Sequence, residues 1–174
     1  MKHTILIVYL IASAGFAFSQ SPVDKLFDKY GSKDGYTTVV ITQYMFDMFK
    51  DVNTNDKDFD GLVKGLKSIR ILAVDKENPK NSAVNFYKEI MKDLPTSEYN
   101  ELMVIKQKDQ DVKFLVKEVQ GRIVEFLLIS GGKDNAFISI QGNIDLKSLA
   151  KLSKNMNIQG LKSLENVNTA PPKK

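Results

Sequence analysis

The chain of 174 residues contains no cysteine and no tryptophan, and its one histidine, His3, lies at the extreme N-terminus. Absent thiols exclude disulfides, cysteine nucleophiles and lipid attachment through a lipobox cysteine. A body without imidazole cannot run Ser-His-Asp or Cys-His chemistry, and it lacks the ligands of an ordinary zinc site. A dominant charge is missing too. Lys+Arg number 25 against 21 Asp+Glu, a formal balance of +4, and the lysines are scattered. No basic run with interleaved aromatics occurs, so nucleic acid is not an expected partner. Internal repeats and interdomain linkers are also absent.

What is present begins with a leader pattern. Met1 to His3 form a short cationic head, Thr4 to Phe18 an apolar run, and Ala17 and Ser19 place small residues at −3 and −1 of a cleavage point. This pattern predicts a signal peptide over residues 1–19. The apolar run of about fifteen residues falls short of the roughly twenty that span a bilayer. The expected product starts at Gln20, carries no lipid and no integral membrane span, and resides in the periplasm or is secreted. It would be one α+β domain over residues 20–168 with a disordered, proline-bearing tail over 169–174. His3 leaves with the leader.

The stretch Gly121–Leu152 organises the rest. Ile123, Leu127 and Ile129 alternate with Val124, Phe126 and Leu128, the pattern of a strand buried on both sides. A glycine-rich turn from Gly131 to Asn135 leads to a second arm, in which Ala136, Ile138 and Ile140 share a face and Phe137 lies on the other. Upstream, Asp109–Asp111 and Gln120-Gly121 are turn signals, so residues 99–141 read as a four-stranded antiparallel meander. Val112, Phe114 and Val116 alternate with Lys113 and Lys117, leaving one face of that strand wet. Tyr36–Thr42 and Ser68–Val74 add two β-branched strands.

Ser21, Pro22 and Asp24 open a helix as N-cap, first-turn proline and capping-box acid. A short helix follows at Gln43–Lys50. Another carries Phe59, Leu62, Val63 and Leu66. Asn78-Pro79 opens a longer helix ending before Pro95, and a final helix follows Asp145. The expected fold is α+β: a mostly antiparallel mixed sheet of about five to six strands, with helices on one face in two layers.

Few residues carry candidate chemistry. Tyr44, Met45, Met48 and Phe49 suit a ligand or partner surface, because methionine adapts to irregular neighbours; core packing is the plainer account. Asp56, Asp58, Asp60 and Gly61 spell the start of a calcium loop. The twelfth place, however, holds Lys67 instead of a bidentate carboxylate, and aspartates also cap helices, so no metal is assigned. Ser148 and Lys151 make an S-x-x-K tetrad on an amphipathic helix, and Lys147, Lys151 and Lys154 form a cationic stripe on it. Glu125 is a carboxylate among apolar neighbours. Buried, it would serve as a general acid; otherwise it would face the open side or pair with Lys113 or Lys117 on a neighbouring strand.

Phe27-x-x-Tyr30, Val39-Val40-Ile41-Thr42 running into Met45-Phe46-x-Met48, Phe86-Tyr87-x-x-Ile90, Tyr99-x-Glu101-Leu102-Met103 and Gly142-Asn143-Ile144-Asp145-Leu146 together resemble a Bacteroidota family labelled domain of unknown function 4252. The resemblance spans about residues 22–155. It implies a small exported envelope protein without established activity, catalytic residues or cofactor. Genomic neighbours of some members imply a link to envelope stress. Many members are lipoproteins, from which this chain departs by lacking cysteine. The reading is a non-enzymatic binding module for an envelope protein or a small apolar ligand. The alternative is a carboxylate-based hydrolase centred on Glu125 or on Asp56, Asp58 and Asp60.

Overall fold

The computed structural model describes residues 20–49, 51, 57–75 and 84–146, with the backbone alone at 57–59. The leader, Asn78-Pro79, the S-x-x-K tetrad, the lysine stripe and the C-terminal tail lie outside the described residues.

The elements run α1 (Pro22–Tyr30), β1 (Tyr36–Thr42), α2 (Gln43–Phe49), α3 (Lys57–Gly65), β2 (Leu66–Val74), α4 (Phe86–Asp93), a 3-10 turn (Thr96–Glu98), β3 (Asn100–Gln107), β4 (Gln110–Val119), β5 (Arg122–Gly132) and β6 (Ala136–Ile144). The six strands form one antiparallel sheet in the order β1-β2-β6-β5-β4-β3. The expected meander, β3 to β6, makes up four of the six strands. The strand with no wet face, β5, is interior, and the β-branched β1 forms an edge.

Local chemistry explains most boundaries. The Asp24 amide donates to Ser21 Oγ at 3.1 Å, and that hydroxyl donates to Asp24 Oδ2 at 2.7 Å, with Pro22 in the first turn. Gln120 (φ 52°) and Gly121 (φ 73°) make a two-residue hairpin with both central residues left-handed, matching the strand twist. α4 starts at Phe86, later than expected, because Asn85 caps it: the Lys88 amide donates to Asn85 Oδ1 at 2.9 Å. Asn135, in the β5–β6 turn, fixes the same helix start. Its Oδ1 accepts from the Phe86 amide at 2.9 Å, and its Nδ2 donates to the Val84 carbonyl at 2.6 Å.

The α+β class and the antiparallel sheet agree with expectation. The single helical face does not. Phe126 and Leu128 of β5 pack with Phe114, Ile138, Ile140, Phe46 of α2, and Leu62 and Val63 of α3. Leu127 and Ile129 point the other way, into Phe137, Leu115, Val23, Leu26 and Phe27 of α1, and Phe86 and Ile90 of α4. Helices therefore cover both faces. The reason lies in β5 itself: a strand apolar on both sides must be shielded on both, or one side would expose its leucines and isoleucines to water. β4 is likewise less wet than expected. Leu115, between the lysines, is buried, while Lys113 pairs with Glu101 at 2.7 Å and Lys117 with Glu98 at 2.5 Å.

Candidate functional site

Folding leaves two surfaces with unusual chemistry. The first lies where β1 runs into α2. At ~100° per residue, Tyr44, Met48, Met45, Phe49 and Phe46 follow one another around the helix, leaving Gln43 and Asp47 on the remaining side. Only Phe46 reaches the core. Tyr44 is 76% exposed, Met48 65%, and Met45 and Phe49 47% each. Val39 and Val40 of the adjoining strand are exposed as well. The helix thus carries a wider apolar arc than the sheet beneath it can bury. Core packing does not explain Tyr44, Met45, Met48 and Phe49.

The second surface is a cleft of about 490 Å³ at the end of the sheet where β4 finishes and β5 begins. Three register shifts meet there, between Lys117 and Glu118, Ile123 and Glu125, and Leu66 and Ser68. Each bulge adds twist and breaks the ladder, so the strand ends splay. Gly142, at φ 142°, lets the β6 backbone pass against the carbonyl of Gly65, where a Cβ would collide. Lys67, Lys117 and Arg122 bring three cationic side chains to the lining, alongside Glu125, Gln141 and Asn143.

Glu125 is the hub of that end. It is 9% exposed. Oε2 accepts from the Tyr99 hydroxyl at 2.7 Å; Oε1 accepts from Gln141 Nε2 at 3.1 Å and from Ser139 Oγ at 3.4 Å. Ser68 Oγ extends the chain to Gln141 Oε1 at 3.4 Å. The expected lysine pairing is not what anchors it. Lys117 does stand opposite Glu125 in register, but its ammonium goes to Glu98, and Lys113 goes to Glu101. Glu125 does not face open solvent either; neutral donors hold it in place. Burial first, then the Glu125 carboxylate, pushes the Tyr99 phenol well above its ordinary value, so it remains a donor.

Sequence reasoning singled out Glu125 and missed Tyr99, Ser139 and Gln141. One signal was available. Ser139 and Gln141 share the face of Phe137, and polar groups on a strand face that begins apolar need partners. Tyr99 carried none, because it reaches Glu125 only through the β3–β4–β5 pairing.

The described part of the aspartate cluster is helical. Asp56 lies outside the described residues, Asp58 and Asp60 fall within α3, and Lys67 is in β2. A calcium loop needs its ligands on a turn around the ion, and a helix running straight into a strand cannot wrap one. Among the described residues no group of three or more His, Cys, Asp or Glu lies together as a metal site. No helix among them is long and apolar enough to cross a membrane.

Compared with known proteins, residues 30–152 match the family described as Domain of unknown function (DUF4252), covering the whole sheet. No curated protein and no solved structure matches the chain.

Proposed function

We propose that this chain, which belongs to the DUF4252 family, is an exported, non-enzymatic binding module that meets a protein partner through the β1–α2 surface. The carrying observation is the unburied apolar arc of Tyr44, Met45, Met48 and Phe49 beside Val39. Contiguous apolar exposure of this kind, on two neighbouring elements, is the usual mark of a contact surface. Aromatic residues and methionine are also the types enriched at interface centres. A small apolar ligand is the weaker candidate, since these side chains form an exposed arc and not a concave pocket.

The hydrolase reading needs two converging acids. Of the described residues lining the cleft, Glu125 is the one acid, and its oxygens already accept from three donors. That arrangement supports a structural carboxylate at the foot of a polar cleft more than a proton donor. Export to the periplasm or the medium rests on the leader pattern, and a role in envelope stress on the family resemblance alone.

Photo-crosslinking residues placed at Tyr44 and Met48 in the producing cell test the binding role. Discrete products are expected at both positions and absent from a control at Thr96, which is exposed on the 3-10 turn. Equal labelling at the control, or none anywhere, would remove the proposal. N-terminal sequencing of the same material should read from Gln20; an intact Met1 would refute export by cleavage.

A further inference from the structure

The sheet has two edges, and they are built differently. At the β3 edge, charged Glu101 and Lys106 flank the strand and a bulge lies between Glu101 and Met103. Charges and bulges are the devices that stop an open edge from pairing with another chain. The β1 edge has neither. Its sequence is Tyr-Thr-Thr-Val-Val-Ile-Thr, with no charge and no proline, and its register with β2 is unbroken from Tyr36 to Thr42.

The hydrogen-bond phase of that edge follows from one bond. The Asp75 amide donates to the Gly35 carbonyl at 2.8 Å, and this pair continues the register of Tyr36 opposite Val74. Bonded pairs alternate along an antiparallel ladder. Thr37, Val39 and Ile41 therefore spend their backbone groups on β2, while Tyr36, Thr38, Val40 and Thr42 aim theirs outward.

We propose that two copies of this chain join edge to edge through β1, antiparallel, with Val39 of one copy opposite Val39 of the other. That register alone engages all four outward residues, setting Thr38 against Val40 and Tyr36 against Thr42. It places no charge opposite a like charge, because β1 has none. The two-fold axis stands normal to the sheet, so both α2 helices fall on the same side, and their exposed Tyr44, Met45, Met48 and Phe49 continue the contact. The six exposed apolar residues of β1 and α2 offer roughly 600 Å² per copy, taking about 150–200 Å² for a whole side chain of this size. With the strand backbone added, this approaches the ~800 Å² per partner of a standard interface.

The inference rests on the β1–α2 contact reading, and its test separates the two. Because the chain has no cysteine, a Val39→Cys variant carries a single thiol. On the axis it forms a non-hydrogen-bonded pair with Cα atoms ~4.5 Å apart, within disulfide reach. Val40→Cys would be offset from its mate and out of reach, although Val40 is 56% exposed against 38% for Val39. The expected results are a dimer mass by light scattering at about 10–100 µM, a range that a standard-size interface reaches; at least tenfold more oxidised dimer from Val39→Cys than from Val40→Cys; and a monomer from Val40→Lys with an unchanged circular dichroism spectrum. A monomeric parent chain, equal oxidation of the two cysteine variants, or an undiminished dimer in Val40→Lys would overturn the proposal. If the parent is monomeric and Tyr44 and Met48 still crosslink to a different protein, the second copy is wrong and the binding surface stands. If neither occurs, both fail.

Discussion

Replacing Glu125 with alanine is the sharpest probe of the cleft. The change removes the acceptor for the half-buried Tyr99 hydroxyl at 2.7 Å, the Gln141 amide at 3.1 Å and the fully buried Ser139 hydroxyl at 3.4 Å. A buried donor deprived of its partner costs ~1–3 kcal/mol, and bonds to a charged acceptor lie at the upper end of the usual range. Gln141 is exposed and regains water. Ser139 starts from a long, weak bond, so Tyr99 dominates. The expected loss is about 2–3 kcal/mol, which for a domain of this size lowers the melting temperature by ~5–10 °C. Glu125→Gln keeps an oxygen for Tyr99 and should cost about 1 kcal/mol, because its new amide meets the Gln141 amide. Urea unfolding at neutral pH measures both, with an unchanged m-value confirming that the same surface unfolds. A double-mutant cycle with Tyr99→Phe should return a coupling of ~1–2 kcal/mol. An alanine variant within ~0.5 kcal/mol of the parent, or a cycle that closes at zero, would show that Glu125 is not the hub.

Two further predictions concern pH. Arg70 bonds Asp24 Oδ1 at 2.5 Å, and that bond, first among the causes, holds the Asp24 carboxyl below its ordinary 3.8. The resulting stability is present above pH 3.8 and is lost as pH falls through the lowered value, so Arg70→Met should flatten the acid limb of a stability–pH curve; an unchanged limb refutes the link. The raised Tyr99 phenol contributes stability that is complete below its ordinary 10.0 and lost as pH climbs above it. Tyr99→Phe should therefore show a shallower alkaline decline, with the remainder due to Tyr30 and Tyr36, which burial also raises. Gly142→Ala should cost about 2–4 kcal/mol in denaturant, since a Cβ there combines left-handed backbone with collision against Gly65; near-neutral behaviour would mean that the strands can separate freely. Calcium added in a calorimeter should give no specific heat, and saturable binding would contradict the helical placement of Asp58 and Asp60.

Much of the fold was legible because its causes are local. The N-cap at Ser21 needs only residues three apart. The Gln120-Gly121 hairpin needs a glycine beside a residue that tolerates positive φ. The meander follows from alternation between turn signals. Where reading failed, a distant partner had intervened. The helix ending before Pro95 was expected to run unbroken through Val84 and Asn85, yet Asn85 caps α4 there, helped by Asn135 from a hairpin fifty residues away. Lys117, opposite Glu125 in register, was its natural partner, but Glu98 binds it and Glu101 binds Lys113, leaving the carboxylate to Tyr99, Ser139 and Gln141.

The sequence by itself determined the absence of thiol chemistry and disulfides and the presence of a doubly apolar central strand. Both are matters of residue type and period, and no arrangement in space alters them. It also displayed the Met/Phe segment, without showing whether that segment is core or surface. Tertiary structure decided that, because the width of α2's apolar arc exceeds what the underlying sheet can cover, and coverage depends on strand order. β1 became an edge only because β2 pairs with β6. Long-range pairing of this kind is set by the sum of many burial energies over the whole sheet, and no short stretch of sequence contains it.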